Sequence, residues 1–237
     1  MTLGPSHSVL LFDLDGTLLC IGGSGRRAME LAFEEIGGSK SACPRESFGG
    51  MTDRFIAATG LQSAGITPNE VNINRFFQAY HGYLKRELSQ ATQSKILPGV
   101  VPLLEVIQKT EGIALGLGTG NTKEGAFAKL ASGGLGSYFS FGGFGCDHQE
   151  RSEIIRLGAI RGANTLGLKP EETRLIIIGD TPRDILAAQA VGGESLAVAT
   201  GEYSVGDLQD YGPTATVQDL TCSEVLSMLL GRENSKP

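Results

Sequence analysis

The chain has 237 residues, of which 41% are hydrophobic, so it is long enough to bury one large α/β core, alone or with a smaller inserted domain. A formal net charge of −6 and the lack of a long basic run argue against a nucleic-acid-binding surface, and no apolar run approaches the roughly 18 residues of a membrane helix. The four cysteines are far apart, which is typical of reduced thiols in a cytosolic protein. Because residues 1–8 also lack the pattern of a signal peptide, we expect a soluble, cytoplasmic protein.

The first predicted strand leads directly into two carboxylates. The four consecutive apolar residues at 9–12 are typical of a short, buried parallel strand. They are followed by Asp13 and Asp15, separated by one residue, and then by Gly16 and Thr17. Two carboxylates close together repel and so raise each other's pKa, and a bound cation would reduce that repulsion. We therefore expect chemistry at the end of this strand.

The next segment of the chain is predicted to be helical. Helices are expected at residues 26–36, near 52–64 and from residue 68 onward, because apolar side chains recur there at helical spacing. The span from residue 18 to about residue 95 contains no convincing strand, so we interpret it as a helical insertion. The aromatic side chains on one face of its third helix are expected to form the core of that insertion: Phe76, Phe77 and Tyr80.

From residue 98 onward, strands and helices alternate. Strands are expected at residues 113–117, 175–178, 195–199 and 215–217, with a glycine-broken strand region at 138–144. Helices are expected at residues 98–109, 122–132, 151–166, 182–190 and 223–230. This alternation predicts a parallel sheet with crossover connections, whose ligand site lies at the carboxyl ends of the strands.

Polar side chains gather at that edge of the predicted sheet. Three strands deliver them in turn: Asp13 and Asp15, then Thr119 and Asn121, and then Asp180 with Asp184 one helical turn later. Arg151 opens the helix after the glycine-broken strand region. Each fragment alone is common, but together they indicate one specific site.

These motifs, in this order and spacing, resemble those of the haloacid-dehalogenase-like hydrolase superfamily, chiefly its phosphatases. The first motif of that family, D-x-D-G-T, is matched by residues 13–17, and the second, a Ser or Thr after an apolar strand, by Thr119. The fourth motif, G-D-x-x-x-D, is matched by residues 179–184. The resemblance covers residues 9 to about 230 and is greatest to the phosphoglycolate-phosphatase-like branch.

The resemblance implies an α/β fold with a Rossmann-like parallel sheet flanked by helices and an inserted, all-helical cap domain. Residues 1–17 and 96–237 would form the core domain, and residues 18–95 would form the cap. The glycine-rich stretch before Asp53 and Arg54 resembles the cap loop that closes over substrate in relatives. Asp53 and Arg54 are therefore candidate substrate-binding residues.

The resemblance also implies catalytic roles. Asp13 would attack phosphorus as a covalent nucleophile, and Asp15 would protonate the leaving alcohol and then activate water. Thr119 and the backbone N–H groups after it, at Gly120 and Asn121, would bind the phosphoryl oxygens. The implied Mg²⁺ ligands are the Asp13 carboxylate, the Asp15 backbone carbonyl and Asp180, with Asp184 acting through water or behind these ligands.

The third motif of the family departs from its usual form in this sequence. A lysine before a proline is usual, but no lysine lies between Lys129 and Lys169. Arg151 occupies about the right place and can both hold and neutralise phosphate. Arg156 and Arg161 remain alternatives for this cation.

The function that these residues favour is Mg²⁺-dependent hydrolysis of a small phosphomonoester, of the phosphoglycolate or sugar-phosphate type. A sugar phosphomutase on the same scaffold is the main alternative, and a non-catalytic phosphate-binding protein is a further one. A dehalogenase and a phosphonate-cleaving enzyme are disfavoured, because their relatives lack the second acid that Asp15 supplies. The expected partner is a small phosphorylated metabolite, without nucleic acid or membrane, bound by a monomer or homodimer.

Overall fold

The computed structural model describes residues 7–43, 49–91 and 94–231. Its strands are, in chain order, β1 (Ser8–Phe12), β2 (Leu19–Cys20), β3 (Lys95–Ile96), β4 (Ile113–Gly118), β5 (Gly142–Gly143), β6 (Arg174–Gly179), β7 (Glu194–Val198) and β8 (Ala215–Val217). Its helices are α1 (Ser24–Gly37), α2 (Asp53–Ser63), α3 (Glu70–Gln90), α4 (Val100–Gln108), α5 (Lys123–Ser132), α6 (Arg151–Thr165), α7 (Pro182–Ala190), α8 (Val205–Gln209) and α9 (Glu224–Leu230).

Six of these strands form one parallel sheet in the order β5-β4-β1-β6-β7-β8. β1 lies near its middle, with Phe12 in register with Leu117 of β4 and Ile178 of β6. Apolar side chains of β1 pack on both faces of the sheet under helices, which is why this strand is apolar at every position from 9 to 12. The predicted class, a parallel α/β sheet flanked by helices, is confirmed.

Helices α1, α2 and α3 have a hydrophobic cluster of their own. Phe33 of α1 and Phe76 of α3 are buried at its centre, with ring centroids 4.4 Å apart. Phe77 and Tyr80 of α3 are buried in the same cluster, as their shared helical face predicted. Each of these three helices therefore buries its apolar face mainly against the other two.

The chain enters and leaves this helical segment through a short antiparallel ribbon. Leu19 of β2 pairs with Ile96 of β3, and Cys20 pairs with Lys95. We expected no strand between residues 18 and 95, and these two-residue strands are too short to produce a detectable alternation of apolar and polar side chains. The ribbon brings the two ends of the segment together beside the core.

Two elements of the core differ from the sequence-based expectation. The glycine-broken region at 138–144 contributes only the two glycines of β5 to the sheet. The five-residue helix α8 was not predicted, because so short an element carries less than two turns of periodicity. None of the helices in the described ranges combines the length and apolar character needed to cross a membrane.

Two helical glycines in the segment of α1, α2 and α3 offer a matched test of its packing. A Cβ added to buried Gly60 of α2 would lie 2.1 Å from the Phe33 Cζ atom, whereas a Cβ on exposed Gly82 of α3 would meet nothing within 4 Å. We expect Gly60→Ala to lower the free energy of unfolding by about 1–3 kcal/mol through overpacking. Gly82→Ala should raise it by up to about 1 kcal/mol through helix propensity. Equal changes in the free energy of unfolding for the two variants, measured by chemical denaturation, would contradict this packing.

Candidate active site

The loop after β1 carries the first two acids of the site. Asp13 is buried, and its N–H donates to the Ile178 carbonyl at 2.8 Å, so the contact between β1 and β6 continues past the strand end. Asp15 follows with a side chain that is 40% exposed. Gly16 has φ 84°, and a Cβ there would lie 2.3 Å from Asp180 Oδ2. Only glycine allows the loop to turn this close to the third acid.

Asp180 and Asp184 reach the same place from the end of β6 and the first turn of α7. The Thr17 hydroxyl donates to Asp180 Oδ1 at 3.0 Å, which links the first motif to the fourth. The Thr181 hydroxyl and N–H donate to Asp184 Oδ2 at 2.7 and 3.1 Å and fix its orientation at the start of the helix. Oxygen atoms of Asp13, Asp180 and Asp184 consequently lie within 4.8 Å of one another.

Arg151 is the cation that contacts these acids. It opens α6, and its Nη2 lies 3.0 Å from Asp13 Oδ1 and 2.5 Å from Asp184 Oδ1. The two alternatives lie elsewhere: Arg156 pairs with Glu153, and Arg161 pairs with Asp147. Of the three arginines considered from the sequence, the structure brings only Arg151 to the acids.

Burial and mutual repulsion raise the pKa values of two of these acids. Burial raises the pKa of Asp13 to about 6, with Arg151 opposing the rise and the charges of Asp184 and Asp15 adding to it. Burial, followed by the charges of Asp13 and Asp184, raises the pKa of Asp180 well above its usual range. The Arg151 guanidinium offsets one of these negative charges. A surplus of buried carboxylate oxygens remains, and this donor set fits a small, hard divalent cation such as Mg²⁺.

The loop after β4 forms the opposite wall of the site. Thr119 is fully buried, and its Oγ1 accepts from the Asn121 side-chain amide at 2.9 Å. The same amide donates to Asp15 Oδ2 at 2.8 Å. A Cβ on Gly120 would lie 2.1 Å from the Met51 carbonyl oxygen, so this loop also packs against the backbone that precedes α2.

Residues 49–53 lie across the site and contact the core mainly through backbone groups. The Asp53 N–H donates to the Gly120 carbonyl at 2.7 Å, and Arg151 Nη1 donates to the Gly50 carbonyl at 3.4 Å. The Thr52 hydroxyl donates to the Gln149 carbonyl at 3.2 Å, and Arg183 donates to the Gly49 carbonyl. Residues 44–48, just before this segment, lie outside the described residues. These contacts join residues 49–53 to the loops that carry the site.

The two residues expected to bind substrate from this segment have different environments. Asp53 is buried and lines the cavity, and its Oδ2 accepts from the Thr122 N–H at 2.8 Å. Burial raises the pKa of Asp53 to about 6, against the lowering effect of Lys129. Arg54, in contrast, pairs with Glu70 and does not line the cavity.

Lys129 is a residue of the site that the sequence analysis did not identify. It projects from α5, is only 4% exposed, and its Nζ lies 2.5 Å from Asp15 Oδ2 and 2.6 Å from Asn121 Oδ1. A signal was present, because Lys129 lies three residues after the apolar Ala126 in the helix predicted at residues 122–132, and residues three apart share a helical face. A lysine on such a face requires a buried partner.

A cavity of about 490 Å³ lies between the core acids and the helical segment. Asp13, Asp15, Asp180 and Arg151 line it from the core. The helical segment contributes charged, polar and apolar side chains: Arg26, Met29, Asp53, Ile56 and Tyr80. This volume suits a small organic molecule with several polar groups.

Comparison with known proteins identifies a family and several proteins that are similar to this chain. A family model described as haloacid dehalogenase-like hydrolase matches residues 10–198. A protein of Dickeya dadantii named "Probable phosphatase IndB" is 25% identical over 226 residues, which cover 92% of this chain and 91% of that protein. Phosphoglycolate phosphatase 1 of Pseudomonas aeruginosa is 24% identical over 228 residues, which cover 90% of this chain and 76% of that protein.

A solved structure has the same fold. It is a haloacid dehalogenase-like family hydrolase from Streptococcus pneumoniae, with a TM-score of 0.61 at 23% identity, and the match covers 94% of this chain and 98% of that one. The family match includes the loops after β1, β4 and β6 and the first turns of α6 and α7, which together carry the buried acids and Arg151. The chain belongs to the haloacid dehalogenase-like hydrolase family.

Proposed function

We propose that this chain is a Mg²⁺-dependent phosphatase that hydrolyses a small phosphomonoester through an aspartyl phosphate on Asp13. The observation that carries the proposal is the floor of the cavity, where the Asp13 carboxylate lies 3.0 Å from Arg151 and close to the acids Asp180 and Asp184. Phosphoryl transfer needs a positioned nucleophile and fixed positive charge around the equatorial oxygens. A carboxylate beside a guanidinium, at the bottom of a cavity, supplies both.

The proposed reaction has two steps that use Asp13 and Asp15 in turn. In the first, an Asp13 oxygen attacks phosphorus, the bond from phosphorus to the ester oxygen breaks, and Asp15 gives its proton to that leaving oxygen. In the second, water attacks the phosphorus of the aspartyl phosphate while Asp15 takes a proton from the water. Inorganic phosphate then leaves, and the Asp13 carboxylate is restored.

Three further groups would bind the phosphoryl oxygens and orient the substrate. Thr119, Gly120 and Asn121 follow β4 and line the same cavity, where the Thr119 hydroxyl and the two backbone N–H groups after it would supply the donors. Arg151 adds a fixed positive charge, held in place by its contacts with Asp184. Asp184 would thus act by orienting the guanidinium.

The metal ion would be held by the carboxylates of Asp13 and Asp180 and by the Asp15 backbone carbonyl. Asp184, whose carboxylate is in the same cluster, would contribute through water. When bound, Mg²⁺ neutralises negative charge on the phosphoryl oxygens. The raised pKa values of Asp13 and Asp180 support this proposal, because a cation would stabilise the charged carboxylates that burial and, to a smaller extent, the neighbouring acids destabilise.

We further propose that residues 18–95 act as a cap on a core formed by residues 1–17 and 96–237, of which the termini at 1–6 and 232–237 lie outside the described residues. Closure of residues 49–53 over the acids would exclude water during the first step.

Asp53 would contact the leaving group from the cap side. Arg54 pairs with Glu70 and does not line the cavity, so the substrate contacts that we propose do not include it.

The substrate class that we propose is a small phosphorylated metabolite, such as phosphoglycolate or a sugar phosphate. The name of the P. aeruginosa relative supports the first of these. We also propose a cytoplasmic location and a monomeric or homodimeric state. A sugar phosphomutase would share the first step and then return the phosphoryl group to the substrate. Dependence on a bisphosphate activator, without release of inorganic phosphate, would favour that alternative.

The nucleophile is tested by Asp13→Asn, which keeps the shape of the side chain and removes its nucleophilic oxygen. We expect phosphate release from a panel of small esters in Mg²⁺ to fall by more than about 10³-fold. A chelator should abolish the activity of the unmodified protein, and added Mg²⁺ should restore it. Asp210→Asn, a change of the same kind at an exposed residue, should have no effect. Equal phosphate release by Asp13→Asn and the unmodified protein would exclude the mechanism.

The acid/base role is tested by Asp15→Asn with an aryl phosphate, whose leaving group needs no proton. The variant should form the phospho-enzyme but hydrolyse it slowly, so that one phosphoryl group per chain accumulates on Asp13. Intact mass spectrometry after rapid mixing measures this. Normal steady-state turnover by Asp15→Asn would remove the role from Asp15.

A further inference from the structure

We propose that Lys129 is a positioning residue for Asp15. Lys129 holds one oxygen of the Asp15 carboxylate, so that the other oxygen is directed first to the ester oxygen and later to water. The inference rests on the proposed phosphatase function and deepens it. It concerns a residue outside all of the family motifs found in the sequence. The helix that carries it, α5, contributes none of the four aspartates of the site.

The contact geometry carries the proposal. Lys129 Nζ lies 2.5 Å from Asp15 Oδ2, and the Asn121 amide donates to the same oxygen at 2.8 Å. Lys129 Nζ also donates to Asn121 Oδ1 at 2.6 Å, which closes a triangle of three side chains. Two donors on a single oxygen restrict rotation of the carboxylate about its last torsion. The other oxygen, Oδ1, is thereby given a fixed direction.

The surroundings of Lys129 make the triangle rigid. Its side chain projects from α5 and is buried. A Cβ on Gly25 would lie 3.5 Å from Lys129 Nζ, so the ammonium is in contact range of the helical segment. A buried ammonium needs a paired, hydrogen-bonded partner, and Asp15 is the carboxylate that provides one. The exposed part of Asp15 then faces the cavity.

Lys129 itself exchanges no proton in this proposal. The proton that leaves Asp15 Oδ1 goes to the ester oxygen as the bond to phosphorus breaks, and the proton that returns comes from the attacking water. Removal of Lys129 should therefore slow steps that need proton transfer and spare a step that does not. A purely structural ion pair would affect every substrate alike.

The test compares Lys129→Met with Lys123→Met, which makes the same change at an exposed position of the same helix. The substrates are an alkyl ester, glycerol phosphate, and an aryl ester, para-nitrophenyl phosphate, and the rate of phospho-enzyme formation is measured in single turnovers with Mg²⁺. Because general acid catalysis contributes about 10²–10⁴-fold, we expect Lys129→Met to slow the alkyl ester by about 10²-fold or more. The aryl ester should slow by less than about tenfold, and Lys123→Met should leave both rates unchanged.

Two further results decide the interpretation. In the Asp15→Asn background, Lys129→Met should add little further loss with the alkyl ester, because both changes remove the same effect. Lys129→Gln keeps a donor for Asp15 without the charge and should recover part of the rate. It also serves as the test variant if the methionine variant does not fold.

The proposal is overturned by a loss of the same size with both esters, or by losses that multiply in the double variant. If the unmodified protein releases phosphate from neither ester with Mg²⁺, then the proposed function fails instead. An active parent with parallel losses in Lys129→Met defeats only the role of Lys129.

Discussion

The active site is shaped by the burial of several mutually repelling carboxylates at one edge of the parallel sheet. β1 and β6 are neighbours, so Asp13 and Asp180 follow adjacent strands, and the first turn of α7 brings Asp184 to the same point. Burial raises the pKa of Asp13 and Asp180, and the other acids add to that effect. Arg151 relieves part of the repulsion, and the remainder gives the site its proposed affinity for a divalent cation.

Much of the core could be predicted from the sequence, because buried parallel strands are continuous apolar runs that end in polar residues. Residues 9–12 and 175–178 have this pattern, and they form the two central strands that carry the acids. The ribbon of β2 and β3 could not be predicted in this way. Its two-residue strands depend on the return of a chain separated by more than 70 residues, which no local pattern encodes.

The candidate site was predicted where motif residues follow strands, and less well where helices direct side chains. Asp53 and Arg54 are adjacent at the start of α2, and consecutive helical residues point about 100° apart, so Asp53 lines the cavity while Arg54 pairs with Glu70. Lys129 was missed for a related reason. The helix that carries it was predicted, but the partner that makes a buried lysine tolerable, Asp15, lies 114 residues away in sequence.

Thermal unfolding with and without Mg²⁺ tests most directly whether these buried, mutually repelling acids form a cation site. We expect Mg²⁺ to raise the unfolding temperature of the unmodified protein. Asp180→Asn should be more stable than the unmodified protein when metal is absent, because one buried charge is removed, and it should gain little from Mg²⁺. A cation site at these acids is excluded if Mg²⁺ leaves the unfolding temperature of the unmodified protein unchanged, or if Asp180→Asn is the less stable protein without metal and is still stabilised by Mg²⁺.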